Sequence, residues 1–171
     1  MVETDPQTPS YVVDSFVDGT FANGWEDGTQ HFETTADASA ADGYAAYRSQ
    51  SGSLVASPDS FDRYPDVGDG YLTWTVYFDG TSGFHMGVTA TGENLLSSPR
   101  VDYALYGGDL QIRTHDGDTY STREQVAFSP PQQEYLTCVG HIDDEKIAHF
   151  WVYDGNNTEL EYLSASVGLE G

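Results

Sequence analysis

Apolar and polar residues alternate along most of this chain, and apolar residues rarely recur at the three-and-four spacing of a helix face. The clearest alternation is Tyr71-Leu-Thr-Trp-Thr-Val-Tyr-Phe78. It predicts a strand with Leu72, Trp74, Val76 and Phe78 on one face and Tyr71, Thr73, Thr75 and Tyr77 on the other. Similar stretches predict strands at Val12–Val17, His31–Thr34, Tyr44–Arg48, Ser53–Ala56, Phe84–Thr89, Arg100–Tyr106, Asp109–Thr114, Thr119–Phe128, Tyr135–Ile142, Lys146–Tyr153 and Glu159–Ala165. Residues tolerant of positive φ separate them at Asp79-Gly80, Gly107-Gly108-Asp109, Asp116-Gly-Asp118 and Asp154-Gly-Asn-Asn157; Asp143-Asp-Glu145 suits a turn less well. Short strands with turn signals every 8–12 residues or so, and no helical stretch, predict an all-β fold: a two-sheet antiparallel β-sandwich. Period-2 placement puts Leu72, Trp74, Val76, Phe78, Ile112, Phe128, Ile147 and Trp151 in or near its core. Residues 1–10 carry two prolines and no apolar pattern, and read as a flexible tail before a single domain spanning 11–171. Neither an internal repeat nor a second core is evident.

Charge changes the picture of where such a sandwich works. Twenty-eight acidic residues face six basic ones, for a formal net charge of −22. The only lysine is Lys146; the other cations are Arg48, Arg63, Arg100, Arg113 and Arg123. Repulsion on that scale opposes a compact state in dilute buffer and is screened at molar salt, where the Debye length falls to about 3 Å. The balance therefore points to a hypersaline milieu. It opposes nucleic-acid binding by charge steering. A disordered acidic chain does not fit 13% aromatic and 38% hydrophobic residues. No apolar run approaches the roughly 18 residues of a membrane helix, so membrane insertion is not expected. The N-terminus has neither the basic region nor the apolar run of a signal peptide, which leaves an excised part of a secreted protein or a protein made in the cytoplasm. Cys138 is alone within the apolar run Leu136 to Val139, so a buried structural thiol is expected and an internal disulfide is impossible.

The order of segments resembles a known family. Asp18-Gly-Thr-Phe-Ala-Asn-Gly-Trp25 looks like the opening of lectin-like jelly rolls. Gly43-Tyr-Ala-Ala-Tyr-Arg48 resembles their second segment. Tyr64-Pro-Asp-Val-Gly-Asp69, followed by the Tyr71–Phe78 strand, resembles the loop before their long central strand. Tyr103 to Arg113, Lys146 to Gly155 and Leu160 to Ser166 resemble the late hairpins. From about residue 12 to 166 the chain is similar to concanavalin A-like lectin/glucanase domains, above all the laminin-G-like versions of halophilic archaea and their viruses. Two departures stand out. The family has a further strand after Leu160–Ala165, where this chain has only Val167-Gly-Leu-Glu-Gly171, and its Gly-x-Trp-Tyr motif is here Gln132-Gln-Glu-Tyr135. The resemblance implies a jelly roll and a non-catalytic domain that binds a glycan or glycoprotein at a haloarchaeal cell surface, in an extracellular or virion setting. The alternative is a structural virion protein (decoration, turret or tail fibre) whose partner is another virion protein. The lack of a signal peptide favours that alternative, because virion proteins assemble in the cytoplasm.

Candidate chemistry narrows accordingly. Glycoside hydrolysis needs two carboxylates about 5–10 Å apart across a sugar. The nearest match to the family's Glu-x-Asp-x-x-Glu is Glu159-Leu-Glu161, whose carboxylates alternation places on one strand face; Ser164 stands at the third acid position, so no catalytic residue is assigned. There is no Gly-x-Ser-x-Gly, and the five histidines lack metal-ligand spacing. His141 and His149 approach each other across the Asp143–Glu145 turn, but two histidines do not make a transition-metal site. No cofactor is expected beyond a structural calcium, for which Asp14, Asp18, Asp66 and Asp69 offer oxygen ligands. Carbohydrate binding rests on aromatics, since sugars stack their apolar faces on rings. Tyr71 and Tyr77, with Thr73 and Thr75, form a polar-aromatic strand face, and neighbouring strands are expected to add Tyr106 and Arg113 to the same sheet. Trp25 serves either as core or as loop anchor. Asn156-Asn-Thr158 is a glycosylation sequon in an expected hairpin turn.

Overall fold

In a computed structural model, the described residues are 19–21, 25–27, 32–38, 44–48, 55–56, 71–78, 83–89 and 99–168. They form twelve β-strands and no α-helix. The chain divides into two compact units, Ser10–Pro65 and one that holds Asp66–Gly171.

The first unit contains two short antiparallel pairs. β1 (Trp25–Asp27) pairs with β4 (Val55–Ala56), and β2 (Phe32–Ala36) with β3 (Tyr44–Arg48). In β2 the Thr34 hydroxyl donates to the carbonyl of Gly19 at 2.6 Å.

The second unit is an antiparallel sandwich of two four-stranded sheets. Its strands are β5 (Leu72–Phe78), β6 (Phe84–Thr89), β7 (Pro99–Tyr106), β8 (Asp109–Asp116), β9 (Tyr120–Ala127), β10 (Glu134–Ile142), β11 (Ile147–Tyr153) and β12 (Glu159–Ser166). One sheet runs β12-β11-β10-β5 and the other β6-β7-β8-β9. The whole second sheet is thus inserted in sequence between β5 and β10, which are neighbours in space.

Turn chemistry fixes the registers. Tyr106 lies opposite Asp109, so Gly107 and Gly108 are the two central residues of a tight hairpin, at φ 66° and 91°. Only residues without a side-chain clash hold such angles easily. The Asp143–Lys146 turn manages without glycine. Lys146 takes φ 61° there, and the Asp143 carboxylate accepts from the amides of Glu145 at 3.0 Å and Ile147 at 2.8 Å.

Between the sheets lies one apolar core: Phe78, Val101, Tyr103, Leu105, Leu110, Ile112, Leu136, Cys138, Ile142, Ala148, Phe150, Val152, Leu163 and Val167, with Trp74, Val76 and Phe128 packed against it. At its centre Trp74 stacks on Phe150 at 5.8 Å between ring centroids, and Tyr103 reaches across from the other sheet to lie 5.3 Å from Phe150. The Tyr103 ring rests over Gly140; a Cβ there would lie 2.6 Å from a ring carbon. Its hydroxyl crosses the core to donate to the His141 carbonyl at 3.0 Å, and burial raises its pKa above the ordinary phenol value. Burial likewise raises that of Cys138, a buried free thiol.

Two expected core residues face away from this core, and a third lies at its margin. Leu72 is half-buried at the end of the core-facing row. Ile147 and Trp151 lie on the opposite face of β11, because Ala148, Phe150 and Val152 take the inward positions. β11 is apolar on both faces, so alternation alone does not say which face is inward. The pairing of Phe150 with Gly140 and Leu163 decides it. The tail at residues 1–10, the strand expected at Val12–Val17 and the turn at Asp79-Gly80 lie outside the described residues.

Candidate functional site

The outer face of the β12-β11-β10-β5 sheet carries a row of rings built by strand register. His141 on β10 lies opposite His149 on β11, Val139 opposite Trp151, and Trp151 opposite Tyr162 on β12. Directly paired residues in an antiparallel sheet project to the same side, so these side chains share one face. Tyr71, just before β5, closes the row by stacking on His141 at 4.5 Å. From there the His141 and His149 rings lie 5.9 Å apart and near-parallel. His149 stacks on Trp151 at 5.5 Å and on Tyr162 at 6.1 Å, and Trp151 stacks on Tyr162 at 5.2 Å. The other end of the face holds Tyr77 and Tyr135 in an edge-to-face pair at 5.2 Å. Thr73, Thr75 and Thr137 lie between the two ends in the same register rows. Tyr77 and Tyr162 are exposed, Tyr71, His141, His149 and Tyr135 are half-buried, and Trp151 is buried with Val139 and Tyr153.

A hydrogen-bonded chain orients the centre of this row. His149 Nε2 lies 3.2 Å from Asp143 Oδ2, and His149 Nδ1 lies 2.8 Å from the Tyr162 hydroxyl. With Nε2–H donating to the carboxylate, Nδ1 accepts from the phenol. That leaves the Tyr162 oxygen free to accept from a ligand hydroxyl. The Ile147 amide bonded to Asp143, with further help from His149 and the Glu145 amide, holds the Asp143 carboxyl below the usual carboxylate range. Both nitrogens of His149 are engaged, one by the Asp143 carboxylate and one by the Tyr162 phenol, so the imidazole is fixed in orientation between them. It positions a phenol.

The structure brings Tyr71 and Tyr77 together on this face and separates them from the other expected residues. Tyr106 ends β7 and Arg113 lies on β8, both in the opposing sheet, so they do not extend the Tyr71–Tyr77 face. The physical reason is the insertion of β6–β9 between β5 and β10: the hairpin that follows β5 in sequence belongs to the other layer. Arg113 is buried beside Asp102 and lies against two tyrosine rings, Tyr106 and Tyr120. Trp25 opens β1 opposite Ala56. Asn156 is exposed in the hairpin turn between β11 and β12, its amide bonded to Asp154 Oδ1 at 2.8 Å. Asp14, Asp18, Asp66 and Asp69 lie outside the described residues. Among the described residues no group of three or more His, Cys, Asp or Glu side chains is placed to hold a metal ion, and no helix is long and apolar enough to cross a membrane.

Glu159 and Glu161 do not share a face in the manner simple alternation predicts. A register irregularity sets Glu159 opposite Tyr153 and Glu161 opposite Val152. Val152 faces the core, whereas Tyr153 belongs to the outer cluster with Val139 and Trp151. The bulge thus turns the two carboxylates apart.

His149, Trp151, Tyr162 and Asp143 were absent from the expected site. Their signal is positional: His141 and His149 each lie four residues from Glu145, so a hairpin centred there pairs them. Compared with known proteins, the chain matches no protein-family model, no curated protein and no solved structure.

Proposed function

We propose that the protein is a non-catalytic recognition domain that binds glycans, free or on glycoproteins, through the outer face of the β12-β11-β10-β5 sheet. One observation carries the reading: the continuous row of rings from Tyr71 through His141, His149 and Trp151 to Tyr162, ending at an exposed tyrosine whose hydroxyl is oriented by His149. Rings present flat apolar area to the CH faces of a sugar, and the phenol, imidazole and threonine groups between them match its hydroxyls. Short-range contacts of this type survive in brine, where charge steering is screened.

The setting we propose is a hypersaline one, outside a cell or on a virion, because a −22 chain gains stability as salt screens its carboxylates. The lectin-like motifs and the two-sheet sandwich support a concanavalin A-like jelly roll as the finer description of the fold. The test is a glycan array probed with the full chain in molar salt. Binding to a defined set of neutral or acidic glycans, lost in Tyr162→Ala, is the expected result. Absence of any glycan binding, with stable association to a capsid or tail protein instead, overturns it in favour of a structural virion role.

A further inference from the structure

The second sheet carries a site of different chemistry. On its face away from the core, β7 presents Arg100 and Asp102, β8 presents Arg113 and His115, and β9 presents Tyr120. Asp102 is fully buried. Its carboxylate takes Arg100 Nε at 3.1 Å and 3.4 Å, and Arg100 also bonds the Tyr120 hydroxyl. Asp102 is therefore occupied mainly by Arg100. Arg113 reaches the same carboxylate only at 3.8 Å, beyond hydrogen-bond distance.

What remains of Arg113 is held by rings rather than by acceptors. Its guanidinium lies 4.6 Å from the Tyr120 ring centre and 5.7 Å from that of Tyr106. Its Nε is buried and has no hydrogen-bond partner among the described residues. A guanidinium has five N–H donors and cannot shed its proton, so a buried Nε–H left without an acceptor is a costly arrangement. In a chain with 28 acidic residues, a nearby carboxylate to complete it would be easy to supply. Tyr106 is 66% exposed and Tyr120 46% exposed, so the rings that flank the guanidinium open to solvent.

We propose that Arg113, framed by Tyr106 and Tyr120, is the anchor of an oxyanion-binding site: it takes a compact anionic group such as a carboxylate or sulfate, either as a free anion or as the substituent of an acidic sugar. Arg113 supplies charge-assisted hydrogen bonds with a fork that matches such groups. Asp102 and Arg100 hold the layer beneath it in place. The two exposed tyrosines offer ring faces beside the anion, and they discriminate between the two sources: a free anion uses only the guanidinium, whereas an acidic sugar also covers a ring. The site is independent of the aromatic row on the other sheet, and its failure would leave that proposal standing.

The test reads the Nε–Hε resonance of Arg113 directly in the full-length chain by proton–nitrogen NMR, assigned by its disappearance in Arg113→Lys. Sodium sulfate, sodium glucuronate and glucose are titrated at ionic strength held constant with sodium chloride. The expected result is a saturable shift with sulfate or glucuronate and none with glucose. Tighter binding of glucuronate, with shifts at Tyr106 and Tyr120, assigns the acidic sugar; equal or tighter binding of sulfate, without them, assigns the free anion. In Arg113→Gln, followed at the Tyr120 amide, affinity should fall about tenfold or more, the loss expected of one charge-assisted hydrogen bond. Should that variant fail to fold, Arg113→Lys, which keeps the charge but not the fork, should still bind more weakly. No saturable shift with either anion, or an equal shift with glucose, overturns the proposal.

Discussion

His149 Nδ1 lies 2.8 Å from the Tyr162 hydroxyl, while the other ring nitrogen faces Asp143 at 3.2 Å. Asp143 in the turn and His149 on β11 thereby fix one exposed phenol on β12. The same Asp143 closes the β10–β11 hairpin through its contacts with the Glu145 and Ile147 amides. One carboxylate thus ties the hairpin turn to the orientation of His149 and Tyr162.

The Asp143 arrangement has a pH signature. Its carboxyl titrates below the usual value in the folded state, chiefly through the Ile147 amide. A group with a depressed folded pKa stabilises above its unfolded pKa, near 3.9, and loses that contribution as pH falls through the folded value. Side-chain NMR should therefore find Asp143 titrating below ordinary aspartates. Asp143→Ala should cost about 1 kcal/mol at neutral pH, as expected for exposed turn hydrogen bonds, and the deficit should vanish in acid. A deficit unchanged at acid pH would contradict the assignment.

Gly140→Ala tests the core. The added methyl would meet the Tyr103 ring at 2.6 Å, and that ring is pinned by its bond to the His141 carbonyl. The variant should lose about 1–3 kcal/mol by overpacking, seen as a lower denaturant midpoint. Full stability would show that Tyr103 does not cross the core as described.

Phe150 and Trp151 are neighbours on β11 with opposite duties. Phe150→Ala empties the core and should cost about 3–5 kcal/mol. Trp151→Ala, which also removes a buried ring, should destabilise as well, but it should in addition move the His149 and Tyr162 ring resonances that Phe150→Ala leaves in place. Equal movement of the His149 and Tyr162 ring resonances in the two variants would contradict the two-face account of β11.

Salt should stabilise the protein over the molar range. Repulsion among carboxylates is screened only at high ionic strength, so the melting temperature should climb between 0.1 M and about 3 M sodium chloride. A flat profile would remove the hypersaline setting.

These pairs also mark what the sequence makes legible. The Leu72–Phe78 alternation is clean because one face is apolar and the other hydroxylated, so both the strand and its Tyr71–Tyr77 face can be read directly. Phe84–Thr89 and Tyr44–Arg48 coincide with their expected bounds, and most other strands in the sandwich shift by one or two residues at their ends. β11 is different: Ile147-Ala-His-Phe-Trp-Val-Tyr153 has large apolar residues on both faces, and only its partners choose between Phe150 and Trp151. The short strand at Trp25–Asp27 has too few residues to show a period. Layer assignment was the larger loss. Tyr106 and Arg113 lie on strands between β5 and β10 in sequence, and non-local pairing of β5 with β10 sends them to the other sheet. The bulge that separates Glu159 from Glu161 likewise leaves no mark in the local pattern.

The central claim is that glycans dock on the ring row of the outer face. It is tested most directly by following the side-chain proton resonances of His141, His149, Trp151 and Tyr162 while a glycan identified on the array is titrated into the full chain in molar salt. The account predicts saturable shifts at these four rings, with ligand CH protons moved upfield by ring currents, and loss of both effects in Tyr162→Ala with the fold retained. Saturable binding that leaves these rings unmoved and shifts residues elsewhere would contradict it.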